Sequence, residues 1–463
     1  MLRLQPPSSV PRGSRSRLSR VAAALAAAAA ITDRGARSEE AGALDEEGRP
    51  LPEEARSLAH GPPVDGADVA LFLPRAILYV PSKVIGLIAF PIEEALRAVE
   101  RNHVIEHLQD VFYNDDRTAA VLPLISASTF LGARFGVQAF HDDLGGHGEH
   151  AAIQASFGID RQQKYKLEFR GTRVGGTRVW VESTTSFEEQ PSLRYYGIGR
   201  ADDPPIGFYA ERRFRQLATV GATLGPEGVE VRVGGHARFK HSEFDAARGL
   251  SQDERPIEAV YDTSAIPGFG AGATVLELEA MGELDTRDAK GATSRGVFLS
   301  AFVGGALPIR TFQYLHLGLE ATGYIPVYRD DRVLILRATF DGIEANDVKA
   351  PFDELPSLGG AHRLRGYPLH RFRDEKALTA TVEYQYPIHQ LVAGTLFVDV
   401  GEVSRGFTDL FTDPDLHVGG GGGLIVRSKS RKYLSVEIAG GDGVQVVLTT
   451  DPLSAFADRD DDL

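Results

Sequence analysis

Arg363, Arg365, Arg371 and Arg373 stand in one glycine-bearing run, Gly359-Gly360-Ala361-His362-Arg363-Leu364-Arg365-Gly366-Tyr367, continued by Arg371-Phe372-Arg373-Asp374. A guanidinium carries its donors in a rigid fork that matches a carboxylate, so such a run suits a loop whose tip is anchored on acids. Glycine beside the arginine lets two backbones approach closely. Two other clusters invite a chemical reading. His141, Asp142, Asp143, His147 and His150 carry metal-ligand side chains. Their spacing matches no compact site, and the glycine-rich segment reads as a polar turn. Gly419 to Gly423 have the backbone freedom of a phosphate loop, but the Lys429-Ser430 pair follows a strand-like run and opens no helix. A strand past which another segment runs closely is the better account. The serines lack a His and an acid at recognisable spacing, and no carboxylate pair stands out from the general lumen charge. The expectation is therefore no enzyme, no cofactor and no metal.

The elements that must position these residues show in the periodicity. After Thr118 apolar residues recur at every second position. Tyr165, Leu167 and Phe169 alternate with Lys164, Lys166, Glu168 and Arg170; Leu276, Leu278 and Ala280 with Glu277 and Glu279; Leu315, Leu317 and Leu319 with Tyr314, His316 and Glu320; Leu434, Val436 and Ile438 with Ser435 and Glu437. A soluble sandwich also alternates, but here the polar face carries opposite charges on strand after strand, which suits a wet lumen. The pattern predicts an all-β transmembrane protein, an antiparallel β-barrel of about sixteen strands. They fall near 121–129, 132–141, 150–160, 163–174, 177–189, 207–222, 229–240, 273–288, 296–307, 311–325, 332–345, 377–388, 393–403, 416–427, 432–440 and 443–451. The longest connections, Gln190 to Ile206, His241 to Gly272 and Asn346 to Lys376, all follow odd-numbered strands. That parity is expected if long loops are extracellular and short turns periplasmic. It makes the arginine-bearing loop the sixth extracellular one. Leu276, Leu278, Val398, Leu434 and Val436 are expected on the lipid face.

Composition is compatible with this reading. The 463 residues are 43% hydrophobic and 25% charged, and no stretch of about 18 apolar residues follows the N-terminus, so helical spans are excluded. A chain with 50 glycines and no cysteine suits barrel bends and an oxidising compartment. The net charge of −14 offers nothing to neutralise phosphates, so no nucleic-acid partner is expected. Residues 1–30, with Arg12, Arg15, Arg17 and Arg20 before the apolar run Val21 to Ile31, read as a signal peptide. Residues 31–66 read as a disordered linker, 67–115 as a proline-broken periplasmic or interfacial helical segment, 116–456 as the barrel and 457–463 as an acidic tail. Pro452 is expected to shorten the last strand and leave the seam with the first weakly paired.

The arginine run resembles the sixth-loop signature of the BamA/TamA (bacterial surface antigen) superfamily, in which a hydrophobic residue precedes Arg-Gly-(Phe or Tyr). Glu383-Tyr384-Gln385-Tyr386-Pro387-Ile388 and Phe397-Val398-Asp399-Val400-Gly401 are similar to the family's twelfth and thirteenth strands. The resemblance implies a barrel in the cell outer membrane that assists insertion or translocation of proteins or lipids, with the sixth loop folded into the lumen. Strand parity places Glu383 and Asp399 inward with Thr381, Gln385 and Phe397. By the resemblance, Arg365, Gly366 and Tyr367 form a lumen loop lock in which Arg365 bridges to Asp399 with Glu383 close by. Family members dedicated to assembly carry periplasmic POTRA modules, for which the segment before the first strand has no room. The expected partners are therefore outer-membrane lipid and a periplasmic protein supplying substrate capture. The alternative function is a passive porin-like channel or a structural surface antigen.

Overall fold

The structure is a computed structural model that describes residues 112–449 apart from 130–131, 159–160, 227, 309–311, 329–330, 346–349, 390 and 428–431. The expected signal peptide, linker, most of the helical segment and the acidic tail lie outside the described residues.

Sixteen antiparallel strands close into one barrel. They are β1 (Ala119–Ser128), β2 (Gly132–His141), β3 (His150–Gly158), β4 (Gln163–Gly171), β5 (Val179–Tyr195), β6 (Gly207–Leu224), β7 (Glu230–Ala246), β8 (Ala273–Asp285), β9 (Gly296–Ala306), β10 (Tyr314–Tyr328), β11 (Arg332–Ala345), β12 (Lys376–Pro387), β13 (Val392–Ser404), β14 (His417–Arg427), β15 (Lys432–Gly441) and β16 (Gly443–Thr449). The alternation in the sequence is the alternation of the wall. Leu278, Leu319, Val382 and Val398 each leave about half of their surface on the outside, while Glu277, His316, Glu320, Glu383 and Asp399 are buried on the inside. Leu276, Leu434 and Val436 lie on the same outward parity and are half-buried. An apolar exterior around a charged, ion-paired interior inverts a soluble protein, and it is the arrangement a lipid solvent demands.

The three longest connections, 196–206, 247–272 and 346–375, follow β5, β7 and β11 and so gather at one end. There the strands run further than the alternation indicated. β5 continues to Tyr195 past a register slip between Gln190 and Leu193, where Pro191 has no N–H for the ladder. β7 continues to Ala246. The reason is a second core above the apolar belt: Tyr195, Tyr209, Phe244, Ile257, Ile266, Phe269 and Phe352 pack together, tying strand tips to two of the long connections. Phe244 and Phe352 lie 4.7 Å apart between ring centroids. At the tips of β5 and β7 the buried side chains are apolar and the exposed ones charged, as in Phe244 between Glu243 and Asp245, so the pattern of the belt is lost while pairing persists.

The barrel closes where β1 meets β16. Among the described residues their register pairs are Ala127↔Leu448 and Ser128↔Val447, supplemented by the Thr129 N–H bonding the Val446 carbonyl at 3.2 Å. The other neighbour of β1 is β2, paired along the whole strand from Ala119↔His141 to Ser128↔Gly132.

Candidate functional site

The connection 346–375 turns back on itself before it reaches Arg365. A two-residue ladder pairs Ser357 with Arg373 and Leu358 with Phe372, and the Gly359 and Gly360 N–H groups bond the carbonyls of Arg363 and Tyr367. Leu364 is held at φ 59, a left-handed conformation that costs an ordinary residue about 1–2 kcal/mol. Its side chain is buried with Leu358, Phe372, Ala377 and Val403, and that packing offsets the strain. The effect is to turn the next residue toward the wall formed by β12 to β15.

Arg365 meets Asp399 through both prongs of its fork. Nε donates to Oδ2 at 2.9 Å and Nη2 to Oδ1 at 3.0 Å, and the Arg365 backbone N–H donates to the same Oδ2 at 2.9 Å. Nη1 donates to Glu383 Oε2 at 3.1 Å and to Glu437 Oε2 at 3.4 Å. The guanidinium carbon stands 3.4 Å from the centroid of the Phe397 ring. Arg365, Glu383 and Asp399 are thus brought together, all buried. Sequence reasoning did not name Glu437 in this group, although its inward parity on β15 was visible.

Gly366 and Tyr367 reach the same wall. Gly366 has φ 97, and a β-carbon there would stand 2.5 Å from the Gly440 carbonyl oxygen. Its own carbonyl accepts from the Asp442 N–H at 2.9 Å. The Tyr367 hydroxyl donates to the Val418 carbonyl at 3.3 Å, and Phe372 stacks on His417 at 3.8 Å between centroids. Gly419, in the glycine run of β14, lies under this tip, and close passage of the loop explains the missing side chain there.

Flanking arginines extend the attachment to partners the sequence did not indicate. Arg363 Nη1 donates to Asp341 Oδ2 at 2.8 Å, and Asp341 Oδ1 lies 2.9 Å from His316 Nε2. Arg371 joins three segments: Nε bonds Asp442 Oδ2 at 2.9 Å, Nη1 bonds the Ala201 carbonyl at 3.0 Å, and Nη2 bonds the Asp202 carbonyl. Its guanidinium also lies 5.3 Å from the ring centroid of Tyr196, whose phenol is pushed above its ordinary pKa by burial. Arg373 Nη1 donates to the Phe352 carbonyl at 2.9 Å.

Within the general lumen charge, His316 Nδ1 lies 3.8 Å from Glu277 Oε1 and 3.7 Å from Glu279 Oε1. These are the described residues whose ligand-type atoms converge closely enough for a cation. Glu277 is also bonded by Arg238 Nε at 2.8 Å, so the group belongs to the ion-paired lumen wall. Glu277 and Glu279 fall two apart on β8, but His316 comes from β10, and the pairing of both strands with β9 unites them, Glu279 and His316 each standing opposite Gly304. The turn carrying Asp142, Asp143 and His147 is closed by its own bonds instead, with Glu149 Oε2 accepting from the Gly145 and His147 N–H groups at 3.2 and 3.1 Å.

No family model matches the chain, and no curated protein matches it. Solved structures do. One is BamA from Haemophilus ducreyi lacking POTRA domains 1–3, at 14% identity and a TM-score of 0.51, covering 72% of this chain and 70% of that one. Another is CdiB from Escherichia coli, at 11% identity and a TM-score of 0.50, covering 72% of this chain and 62% of that one. At these identities the likeness is one of fold. With the strand count, the closure and the order of the elements, the chain folds as a BamA/TamA-like barrel of sixteen antiparallel strands.

Proposed function

We propose that the chain is an outer-membrane barrel that assists insertion or translocation of proteins or lipids, acting through a seam that opens between β1 and β16. The observation that carries this reading is the closed barrel of sixteen antiparallel strands, a fold shared with the BamA and CdiB barrels, whose first and last strands meet at the seam. Parting that ladder exposes two strand edges, which are templates for a further strand. The loop lock is the complementary part. Arg365, bonded to Asp399, Glu383 and Glu437, keeps the wall next to the seam in one shape while the seam itself moves. Lipid surrounds the outward belt, and a periplasmic partner delivers the substrate. The work is done by shape and charge, without covalent chemistry.

The absence of cysteine permits a direct test. Residues directly opposite in an antiparallel pair lie about 4.5–5.5 Å apart between Cα atoms, within disulfide reach. Ser128→Cys with Val447→Cys should tether the seam. In proteoliposomes supplied with an unfolded outer-membrane barrel as client, the oxidised protein should lose assisted insertion and regain it on reduction. Equal insertion with the tether closed would sink the proposal. Large, steady openings in planar bilayers, unchanged by the tether, would favour the passive pore.

A further inference from the structure

The connection between β13 and β14, residues 405–416, does not behave as a solvated loop. It carries one helical turn, Asp409–Thr412, and three large apolar side chains with more than half of their surface exposed: Phe407, Phe411 and Leu416, at 55%, 63% and 59%. Val418, the first outward residue of β14, is exposed by a further 54%. The rings are ordered. Phe407 packs edge-on against Phe411 at 5.5 Å and against Phe340 of β11 at 5.5 Å. Phe340 pairs in register with Leu319 and Leu378 on the outward parity of the sheet, so the connection rests on the outer face of the barrel. Leu410 is buried beneath it.

Two of its acids are engaged by a neighbouring loop. Asp413 Oδ2 accepts from Arg200 Nη2 at 2.6 Å and Asp415 lies 3.8 Å from Arg200 Nε, so both turn toward the connection 196–206. Asp409 Oδ2 accepts from the Gly406 N–H at 3.2 Å. The connection therefore has two sides, one tied by charge to a neighbouring loop and one apolar, aromatic and continuous with the belt.

We propose that residues 405–416 form an interfacial anchor, with Phe407, Phe411 and Leu416 seated at the boundary between acyl chains and headgroups of the leaflet on the long-loop side. This rests on the reading that the apolar belt faces lipid. Aromatic rings favour that boundary because their apolar bodies leave water without reaching the hydrocarbon centre. Three exposed apolar side chains together would be costly in water. The anchor has a consequence for the site. It links β13, which carries Asp399, to β14, which lies beneath the tip of the arginine loop, so lipid holds from outside the same wall that Arg365 grips from inside.

The test uses single cysteines, each carrying one environment-sensitive NBD label, in the full chain in phosphatidylcholine vesicles. Phe411→Cys reports the anchor, Val398→Cys the belt and Asp253→Cys, exposed in the connection 247–272, an aqueous site. The label at Phe411 should be quenched several-fold more than that at Asp253 by a nitroxide near the lipid headgroup. The label at Val398 should respond most to a nitroxide deep in the chains. Adding Phe407→Ser should weaken quenching at Phe411 while heat-modifiability shows the barrel still folded. If Val398 is quenched and Phe411 behaves like Asp253, the anchor is wrong and the membrane reading survives. If Val398 is not quenched either, both fall. Shielding of Phe411 from iodide that depends on protein concentration and not on lipid would overturn the proposal in favour of a second copy of the chain.

Discussion

The carbonyl oxygen of Arg365 lies where a β-carbon on Gly419 would stand, 1.9 Å from that position. The guanidinium reaches Asp399 because the loop backbone sits directly on β14, and it can sit there because this strand position has no side chain. Gly441 and Gly366 complete the passage: a β-carbon on Gly441 would stand 2.6 Å from Tyr367 Cε2. Acid partners and glycine gaps are two halves of one fit.

Gly419→Ala should therefore displace the loop. Forcing extra volume into a packed site costs about 1–3 kcal/mol. Gly420→Ala is the matched control, because its β-carbon would find ordinary room, 3.4 Å from the Phe397 carbonyl oxygen. Urea midpoints in micelles for the two variants check this, and equal midpoints would remove the close-passage argument.

Arg365→Ala should destabilise strongly, because Asp399, Glu383 and Glu437 would be left facing one another in a confined site. Losing one half of a buried pair costs about 3–5 kcal/mol, with lumen water reducing the figure. Arg365→Lys should recover only part, since a point charge cannot serve both oxygens of Asp399 and also Glu383. In a double-mutant cycle with Asp399→Asn the two losses should be clearly non-additive. Additive losses would mean that the arginine acts elsewhere.

Adjacent positions on β9 test the two faces of the wall. Leu299 is exposed outward, and an arginine at mid-membrane on that face costs about 2–4 kcal/mol. Ser300 points inward, in register with Glu320 on one side and Glu283 on the other, so an arginine there gains two acids. Leu299→Arg should lower the unfolding midpoint in lipid and Ser300→Arg should leave it nearly unchanged. The reverse order would invert the barrel.

Arg371 gathers the connection 196–206 and the β15–β16 turn through the Ala201 carbonyl and Asp442. Arg371→Ala should expose 196–206 to limited proteolysis in the folded barrel. Arg405 is the comparison: its side chain is 83% exposed and lies 3.7 Å from Glu375 Oε1. Exposed pairs of this kind contribute about 0–1 kcal/mol, so Arg405→Ala should leave the cleavage pattern as it was.

The barrel was legible in the sequence because its cause is local. A wall one residue thick between lipid and lumen imposes a period of two, and Leu278 beside Glu279 or Leu315 beside His316 shows it without any knowledge of neighbours. The arginine run, the inward parity of Glu383 and Asp399 and the close passage at Gly419 were legible for the same reason, since residue type and parity sufficed. Other features depended on which strands become neighbours. Glu437 joins Arg365 only because β15 curves around to face β12 and β13, and His316 meets Glu277 and Glu279 only because β10 and β8 flank β9. The aromatic core that lengthens β5 and β7 draws Phe352 from a connection far along the chain. Nor does any period reveal that Phe407 folds out over Phe340. Periodicity records the environment of one residue at a time, whereas these relationships belong to pairs, and the pairing and packing of the folded sheet decide the pairs.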